Sequence, residues 1–245
     1  MSEYLERHQP ESLQAREALV DRWFSGTGES YDRVVAWTTL GLDSYWKKRI
    51  LATMPEKADR VLDLACGTGI VLEKLARKYP GAELVGVDLT KEYLDVAEVK
   101  LRGIGITAEL IHANAESAPL TGLFDAVCSS YIPKYVDPDK LLACIRPHIR
   151  PGGIVVLHDF TCPKTFVYRL VWRSWMWLLS TVGTHVFPAW KAAFDNELVT
   201  VIKETHWPRI YAQAFHLHGY VDVESQELTA RTSMIVSARR PMQEA

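Results

Sequence analysis

Short apolar runs alternate along the chain with longer segments whose apolar residues recur at helical spacing. This alternation predicts a parallel sheet with helices on both faces, because each strand needs a crossover that returns the chain to the same edge. Helices are predicted at residues 11–24 and 43–53, and between the strands at 71–78, 91–102 and 138–148. The strands are predicted at about residues 60–65, 83–88, 107–112, 124–129 and 153–159.

Near the C-terminus, two further strands are predicted at about 220–228 and 232–238, close enough to form a hairpin. The run Arg150-Pro151-Gly152-Gly153 predicts a turn before the fifth strand, since proline and glycine interrupt regular elements. We predict one domain over residues 1–245, with N-terminal helices (about 1–57), a core (about 58–163), a lid or substrate insertion (about 164–212) and C-terminal strands (about 213–240).

Composition narrows the class of protein. Hydrophobic residues make up 48% of the 245 residues, enough for a substantial core. The 28 basic and 30 acidic residues leave a formal net charge of −2, which argues against a nucleic-acid partner. The four cysteines lack Cys-x-x-Cys spacing, so we predict reduced thiols, and His216 and His218 are too few to predict a metal site.

The first twenty residues lack the apolar core of a secretory signal, and we predict a cytoplasmic protein. The most apolar region, 166–190, contains Arg169, Arg173, His185 and Pro188, so it falls short of the roughly twenty unbroken apolar residues of a membrane span. This region is compatible with peripheral contact at the inner face of a membrane, but we do not expect it to cross one.

The clearest chemical signal lies at residues 61–69, where a short apolar strand leads through Asp63 to the turn Gly67-Thr68-Gly69. Such a turn brings backbone N–H groups close to a nucleotide. A dinucleotide site needs a third glycine for its pyrophosphate, and Leu72 at that position argues against NAD. About twenty residues later a second apolar strand ends in Asp88, placed to hold ribose hydroxyls. S-adenosylmethionine (SAM) fits this arrangement. The turn offers backbone N–H groups, Asp88 offers a carboxylate to the ribose, and Asp63 lies near a positive centre of the cofactor.

These elements resemble the class I SAM-dependent methyltransferases, whose first motif is an acidic residue followed by a Gly-x-Gly turn; Cys66 replaces the more frequent glycine. The resemblance implies a Rossmann-like, mostly parallel seven-stranded sheet with an antiparallel last strand. It implies SAM as cofactor, with S-adenosylhomocysteine (SAH) as product. It places Asn114 at the adenine amino group and the Ala115 amide at the ring, although an Asn-Ala-Glu triplet alone is also a common turn. The implied cofactor-binding residues are Asp63, Ala65, Gly67, Gly69, Asp88, Leu89, Asn114, Ala115 and Ser130.

A more specific resemblance covers most of residues 30–165. Tyr31-Asp32, Gly41 and Trp46-Lys47 are similar to the N-terminal signature of the ubiquinone/menaquinone biosynthesis C-methyltransferases. The likeness continues in the same order with residues 113–120, the Pro151-Gly152-Gly153 turn, Asp159-Phe160-Thr161 and Pro163. It implies a quinol-like aromatic substrate.

The chain also departs from that family. Val35 stands where the family has an asparagine, and Thr232-Ser233-Met234-Ile235-Val236 replaces its C-terminal ending. The family's aromatic-Gly-x-Arg-Asn segment becomes Tyr131-Ile132-Pro133-Lys134-Tyr135. Because a lysine point charge does not reproduce an arginine fork, we expect the substrate ring oxygens to be recognised differently.

Methylation of an aromatic carbon requires a general base or a group that stabilises a phenolate. His158 and Asp159, at the end of the fifth strand, are candidates for this role together with Tyr31. Adjacent strand residues face opposite ways, so our hypothesis is that Asp159 faces the site and His158 is packed in the core. Tyr131, Lys134 and Tyr135 are candidates for substrate contact; alternatively, the tyrosines roof the core and the lysine is a solvated surface charge.

Residues 166–179 predict an amphipathic helix, with apolar positions at 168, 171, 172, 175, 178 and 179 and with Arg169 and Arg173 on the other face. One interpretation is a lid helix packed on the domain or on a second subunit of a homodimer. The other is an apolar entrance for a lipid tail, with Trp172 in contact with substrate and the arginines facing anionic headgroups.

The sequence thus predicts a SAM-dependent methyltransferase that C-methylates a hydrophobic quinol-like small molecule. Two alternatives stay open: O- or N-methylation of another hydrophobic metabolite, and a cofactor-binding scaffold without turnover.

Overall fold

The computed structural model describes residues 13–194 and 196–242. Its strands are β1 Arg60–Leu64, β2 Glu83–Asp88, β3 Glu109–His112, β4 Phe124–Ser130, β5 Ile149–Phe160, β6 Val221–Leu228 and β7 Ser233–Arg239. In the sheet they have the order β3-β2-β1-β4-β5-β7-β6. Strands β1 to β5 pair in parallel, and β7 pairs antiparallel with both β5 and β6, so six strands share one direction. The predicted fold class, the antiparallel last strand and the C-terminal hairpin are confirmed.

Helices flank the sheet and precede it, and the predicted ones are present; residues 11 and 12 of the first lie outside the described residues. Five described helices were not predicted: Tyr31–Thr38, Thr184–Val186, Lys191–Phe194, Asn196–Glu204 and Trp207–Leu217. None of the described helices is long and apolar enough to cross a membrane. The helices are α1 Leu13–Phe24, α2 Tyr31–Thr38, α3 Leu42–Thr53, α4 Ile70–Lys78, α5 Lys91–Gly103, α6 Pro138–Ile145, α7 Phe166–Leu178 with a π-helical turn at Leu179–Gly183, α8 Thr184–Val186, α9 Lys191–Phe194, α10 Asn196–Glu204 and α11 Trp207–Leu217.

Two hydrophobic cores lie on the two faces of the sheet, because alternate strand residues point to opposite sides. On one face, residues such as Leu62 and Val127 pack against α6 and α11. On the other, Val61 and Ala126 pack against α3, α4 and α5. Helix α11 runs across the position near 212 where the sequence analysis separates the insertion from the C-terminal strands. Its buried Trp207, Tyr211 and Phe215 belong to the sheet core.

The turn predicted at residues 150–153 is wrong, because these residues lie inside β5 as a bulge. The pairing with β4 passes from Phe124–Ile149 directly to Ala126–Ile154. Arg240 keeps the bulge in the sheet: its carbonyl accepts from the Gly152 N–H (2.9 Å) and its own N–H donates to the Gly153 carbonyl (2.8 Å). Gly152 has φ +76°, a conformation that glycine adopts without steric cost.

Gly86 in β2 marks a close approach of sheet and helix, and its replacement tests this packing. A Cβ at Gly86 would lie 2.8 Å from Cys66 Sγ and 2.9 Å from Leu72 Cδ1. We therefore expect Gly86→Ala to lower the free energy of unfolding by about 1–3 kcal/mol through overpacking, measured by urea denaturation. Gly103→Ala is the control, since nothing lies within 4 Å of its added Cβ. Equal stability of the two variants would contradict the close approach.

Candidate active site

The loop after β1 is shaped by left-handed backbone at Ala65, Gly67 and Gly69 (φ +54°, +55° and +78°). The Cys66 N–H donates to the Val87 carbonyl at 3.0 Å, which fastens the loop to β2. At Gly67 an added Cβ would meet only Tyr93, at 3.8 Å, whereas at Gly69 it would lie 3.3 Å from the Cβ of Ala97. Gly67 thus leaves backbone accessible to a ligand, and Gly69 lets the loop approach α5.

Asp88, at the end of β2, holds this loop. Its Oδ2 accepts the Gly67 N–H at 2.8 Å, and its Oδ1 accepts the Thr90 N–H at 2.8 Å. Burial raises the pKa of the Asp88 carboxyl, and the two amide donors act against that shift. Because carboxylate oxygens have further acceptor capacity and Asp88 lines a cavity, the residue can accept hydroxyl groups from a ligand.

Asn114 and Ala115 follow β3 and line the same cavity. The Asn114 Oδ1 accepts the Glu116 N–H at 2.8 Å, which fixes the turn. Its Nδ2 donates to Glu17 Oε1 of α1 at 2.7 Å. Glu17 was missed by the sequence analysis; it lines the cavity and covers the position predicted for adenine.

The cavity has a volume of about 940 Å³ and lies beyond the carboxyl ends of the parallel strands, where ligands of open α/β sheets bind. Most of the candidate residues line it: Tyr31, Ala65, Gly67, Asp88, Leu89, Asn114, Ala115, Ser130, Tyr131, Lys134, Tyr135 and Trp172. Asp63, Gly69, His158 and Asp159 are not among its lining residues.

Asp63 is buried behind the loop, with 1% of its surface exposed. Its Oδ1 accepts from the Cys128 thiol at 3.5 Å, while its Oδ2 has no hydrogen-bond partner among the described residues. Burial raises the pKa of Asp63 to about 7. A buried acid with an unpaired oxygen suits a site that receives a positive charge.

Lys134 and Asp159 form a fully buried ion pair. The Lys134 ammonium also donates to the Tyr131 carbonyl at 3.2 Å and lies 4.3 Å from the centre of the Tyr135 ring. Two expectations are therefore wrong: Lys134 is not a solvated surface charge, and Asp159 does not face the cavity but lies behind the lysine. Burial lowers the pKa of Lys134 and raises that of Asp159, and in each the charge of the partner opposes the shift.

His158 lies in the core, as the packing hypothesis expected. Its Nδ1 is 3.1 Å from Ser130 Oγ and its Nε2 is 2.5 Å from Ser233 Oγ, and the side chain is fully buried. Burial holds the pKa of the imidazole well below its usual range, with Lys47 and Lys134 acting in the same direction. Because His158 does not reach the cavity, its placement does not support a catalytic role.

Tyr131 has a left-handed backbone (φ +77°), and its ring stacks on Phe160 with centroids 4.6 Å apart. Its hydroxyl donates to Asp43 Oδ1 at 2.6 Å, and Asp43 is paired with buried Lys47. The sequence analysis missed Asp43 because it precedes Tyr131 by 88 positions.

Tyr31 lines the cavity and packs its ring edge against Tyr93, with centroids 5.1 Å apart. Burial raises the pKa of the Tyr31 hydroxyl well above its usual value. Trp172 of α7 packs with Val199 and Ile202 of α10 and forms part of the cavity wall. Together these side chains make an aromatic and aliphatic chamber next to the loop and Asp88. Groups of three or more potential metal ligands are absent from the described residues.

Fold and site together define a SAM-dependent methyltransferase, and the comparisons agree. The family model for a methyltransferase domain matches residues 61–153. Over 217 residues the chain is 30% identical to the ubiquinone/menaquinone biosynthesis C-methyltransferase of Desulfotalea psychrophila, covering 87% of each chain. It is 33% identical over 153 residues to the demethylmenaquinone methyltransferase of Thermus thermophilus, covering 61% of this chain and 70% of that one.

Among solved structures, the plantazolicin methyltransferase BpumL in complex with SAH superposes with a TM-score of 0.63 at 14% identity, over 98% of both chains. This likeness concerns the fold. On the strength of the sequence relatives, the chain belongs to the family of SAM-dependent methyltransferases that includes the ubiquinone/menaquinone biosynthesis C-methyltransferases.

The residues present fit SAM. The Gly67 cradle is open, the Asp88 carboxylate is oriented toward the cavity by two amides, and the unpaired Asp63 oxygen lies buried behind the loop. Asp88 and Gly67 would hold the ribose end, and Leu89, Asn114 and Ala115 would surround the adenine. These individual assignments stay predictions.

Asp88→Ala tests the ribose assignment. We expect the dissociation constant for SAH to rise at least about tenfold, because hydrogen bonds to a charged group contribute roughly 1.5–3 kcal/mol each. Isothermal titration calorimetry measures this, with circular dichroism to verify folding. Asp95→Ala, on the exposed side of α5, is the control. Unchanged affinity in a folded Asp88→Ala variant would rule out the assignment.

Asp63→Asn tests the buried acid. A carboxyl with a folded-state pKa of about 7 and an unfolded pKa near about 3.9 binds its proton more tightly when folded. Its stabilising contribution is therefore complete below about pH 4 and is lost as the pH rises through about 7. We expect Asp63→Asn to gain about 2–4 kcal/mol in unfolding free energy relative to wild type between pH 5 and 8.

The measurement is urea denaturation of the ligand-free protein at several pH values, with Asp95→Asn as control. A stability difference between Asp63→Asn and wild type that does not change with pH would contradict the raised pKa.

Proposed function

We propose that the protein transfers the methyl group of SAM to a ring carbon of a quinol that carries a hydrophobic tail. The observation behind this proposal is the position of Lys134, a buried lysine in the wall of an apolar cavity that the predicted cofactor-binding residues also line. The names of the two relatives support the same substrate class.

The chemistry requires a ring made electron-rich. A quinol carbon becomes nucleophilic when a neighbouring hydroxyl loses its proton, since the phenolate oxygen donates electron density to the ring. Bound SAM would supply the electrophilic methyl group: the C–CH₃ bond forms as the S–CH₃ bond breaks, and SAH is the leaving group. The methylated ring carbon then loses its proton to water, which restores the aromatic ring. The chain must therefore stabilise a phenolate and orient the ring.

Lys134 is suited to stabilise the phenolate. Its charge interacts more strongly with a phenolate at an apolar, buried position than it would in bulk solvent. Asp159 acts as a positioning residue, because its buried carboxylate pairs with the Lys134 ammonium and does not itself line the cavity. A lysine carries its charge on a single nitrogen and lacks the bidentate geometry of an arginine guanidinium, so it interacts with one phenolate oxygen.

The aromatic walls are suited to hold the ring. Tyr131 and Phe160 stack on each other, and Trp46 meets Phe160 edge to face with centroids 5.6 Å apart. All three line the cavity, as do aliphatic residues of α7 and α10 that fit a hydrophobic tail, namely Leu178, Leu179, Leu198, Val199 and Ile202. A tailed quinol resides in a lipid bilayer, so the proposal includes peripheral contact of the protein with a membrane.

The direct test is incubation with SAM and a short-chain hydroquinone, followed by NMR of the product. A new ring-methyl signal with loss of a ring proton supports the proposal. A methoxy signal would instead establish O-methylation. Cofactor binding without transfer to any hydroquinone or hydrophobic phenol would indicate a scaffold without turnover.

Lys134→Gln tests the role of the ammonium. We expect kcat to fall by about 10²-fold or more, as on removal of a single charge-stabilising donor, with the SAH dissociation constant changed less than about twofold. The double variant Lys134→Gln/Asp159→Asn avoids a buried unpaired carboxylate and should show the same loss. Lys140→Gln, an exposed lysine on α6, is the control. Wild-type kcat in the double variant would exclude Lys134 from the reaction.

A further inference from the structure

Helix α7 has an apolar face that the rest of the described chain leaves uncovered. Phe166, Leu170 and Trp177 are 76%, 56% and 66% exposed. A helix turns by about 100° per residue, so these three side chains and that of Arg173 point in directions that differ by at most about 60° around the helix axis. The opposite side of the helix carries Trp172, which is buried. Helix α7 is therefore apolar on both sides, whereas the sequence predicts one apolar face and one face with the arginines. Single exposed apolar residues are ordinary, but a row of this kind marks an interaction surface.

Exposed residues of α7 also line the cavity. Leu40, Tyr168, Leu170 and Val171 are all exposed, and all four line the cavity. Leu170 belongs to the apolar row, whereas Tyr168 and Val171 lie on other sides of the helix. The Trp175 indole donates to the Thr38 carbonyl at 2.8 Å, which fixes α7 beside the turn that carries Leu40. The apolar row therefore meets the cavity wall at Leu170.

The charged residues of the segment that contains α7 have one sign. Residues 160–194 contain no aspartate or glutamate, while Lys164, Arg169, Arg173 and Lys191 are basic. Neither arginine forms an ion pair with another described residue; Arg169 donates to the Lys164 carbonyl at 2.6 Å. Arginines beside an apolar row can extend to headgroups while their stems stay in the apolar layer.

We propose that the outer face of α7, defined by Phe166, Val167, Leu170 and Trp177 with Arg169 and Arg173, docks on an anionic lipid bilayer and opens the cavity to it. The inference rests on the proposed function in one respect, namely that a tailed acceptor enters from the bilayer. Docking itself depends only on the apolar row and the unpaired basic charges. A second copy of the chain is a poorer partner for this face, because two such faces would bring four arginines together.

The test is co-sedimentation of the purified full chain with vesicles of phosphatidylcholine alone or with phosphatidylglycerol. We expect binding to vesicles with phosphatidylglycerol, weakened by salt. The triple variant Phe166→Ser/Val167→Ser/Trp177→Ser alters exposed residues that do not line the cavity. We expect it to lower the partition coefficient by about tenfold or more. Arg169→Gln/Arg173→Gln should abolish the preference for phosphatidylglycerol.

Val99→Ser/Leu217→Ser is the matched control, since these residues are 72% and 67% exposed on other helices. Methyl transfer to a short-chain, water-soluble hydroquinone is measured for every variant and should equal that of wild type. A protein that turns over this acceptor without binding vesicles refutes the docking face alone. Vesicle binding without turnover refutes the proposed function alone.

Two other outcomes would overturn the inference. The first is equal vesicle binding by wild type and the triple variant. The second is a wild-type dimer in sedimentation velocity that becomes monomeric in the triple variant and does not bind vesicles, since this would make the face a subunit interface.

Discussion

The hydrogen bond between the Gly67 amide and the Asp88 carboxylate joins the ends of two neighbouring strands, and the cofactor site depends on it. The loop after β1 places three residues in left-handed backbone, and the Gly67 amide would lose its acceptor if β2 did not end in a carboxylate. One carboxylate therefore organises the loop and remains available to the ligand. The close contact of Gly86 with Cys66 and Leu72 keeps the two strands and α4 at the separation this bond requires.

The remainder of the site is organised by buried charge. Two buried ion pairs contact Tyr131. In one, Lys134 pairs with Asp159 and donates to the Tyr131 carbonyl; in the other, Lys47 pairs with Asp43, which accepts from the Tyr131 hydroxyl. Isolated buried charges would be costly, so each ammonium is held by a carboxylate and the pairs constrain the surrounding side chains. The pairing with Asp159 explains how the Lys134 side chain is held at a fixed position in the wall of an apolar cavity.

The cofactor half of the site was predictable because it is local in sequence: a glycine turn follows one strand and an acid ends the next. The side-chain partners from distant segments were not predictable. Tyr131 donates a hydrogen bond to Asp43, which is 88 positions away in the sequence, and Asn114 donates one to Glu17, which is 97 positions away. The prediction of a turn at residues 150–153 is wrong because the strand partner of this segment, the chain at Arg240, cannot be inferred from proline and glycine alone. Helix α7 was predicted, but its periodicity could not indicate which apolar side packs when both sides are apolar.

The contact between Glu17 and Asn114 ties the N-terminal helix to the turn that follows β3. The Asn114 Nδ2 carries two hydrogens and donates one of them to Glu17, so a ligand can accept the other without displacing the carboxylate. The side chain of Asn114 is thus held at both of its polar atoms, by the Glu116 N–H and by α1. The N-terminal helix therefore helps to orient an amide group in the cavity wall, although Glu17 and Asn114 are 97 positions apart in the sequence.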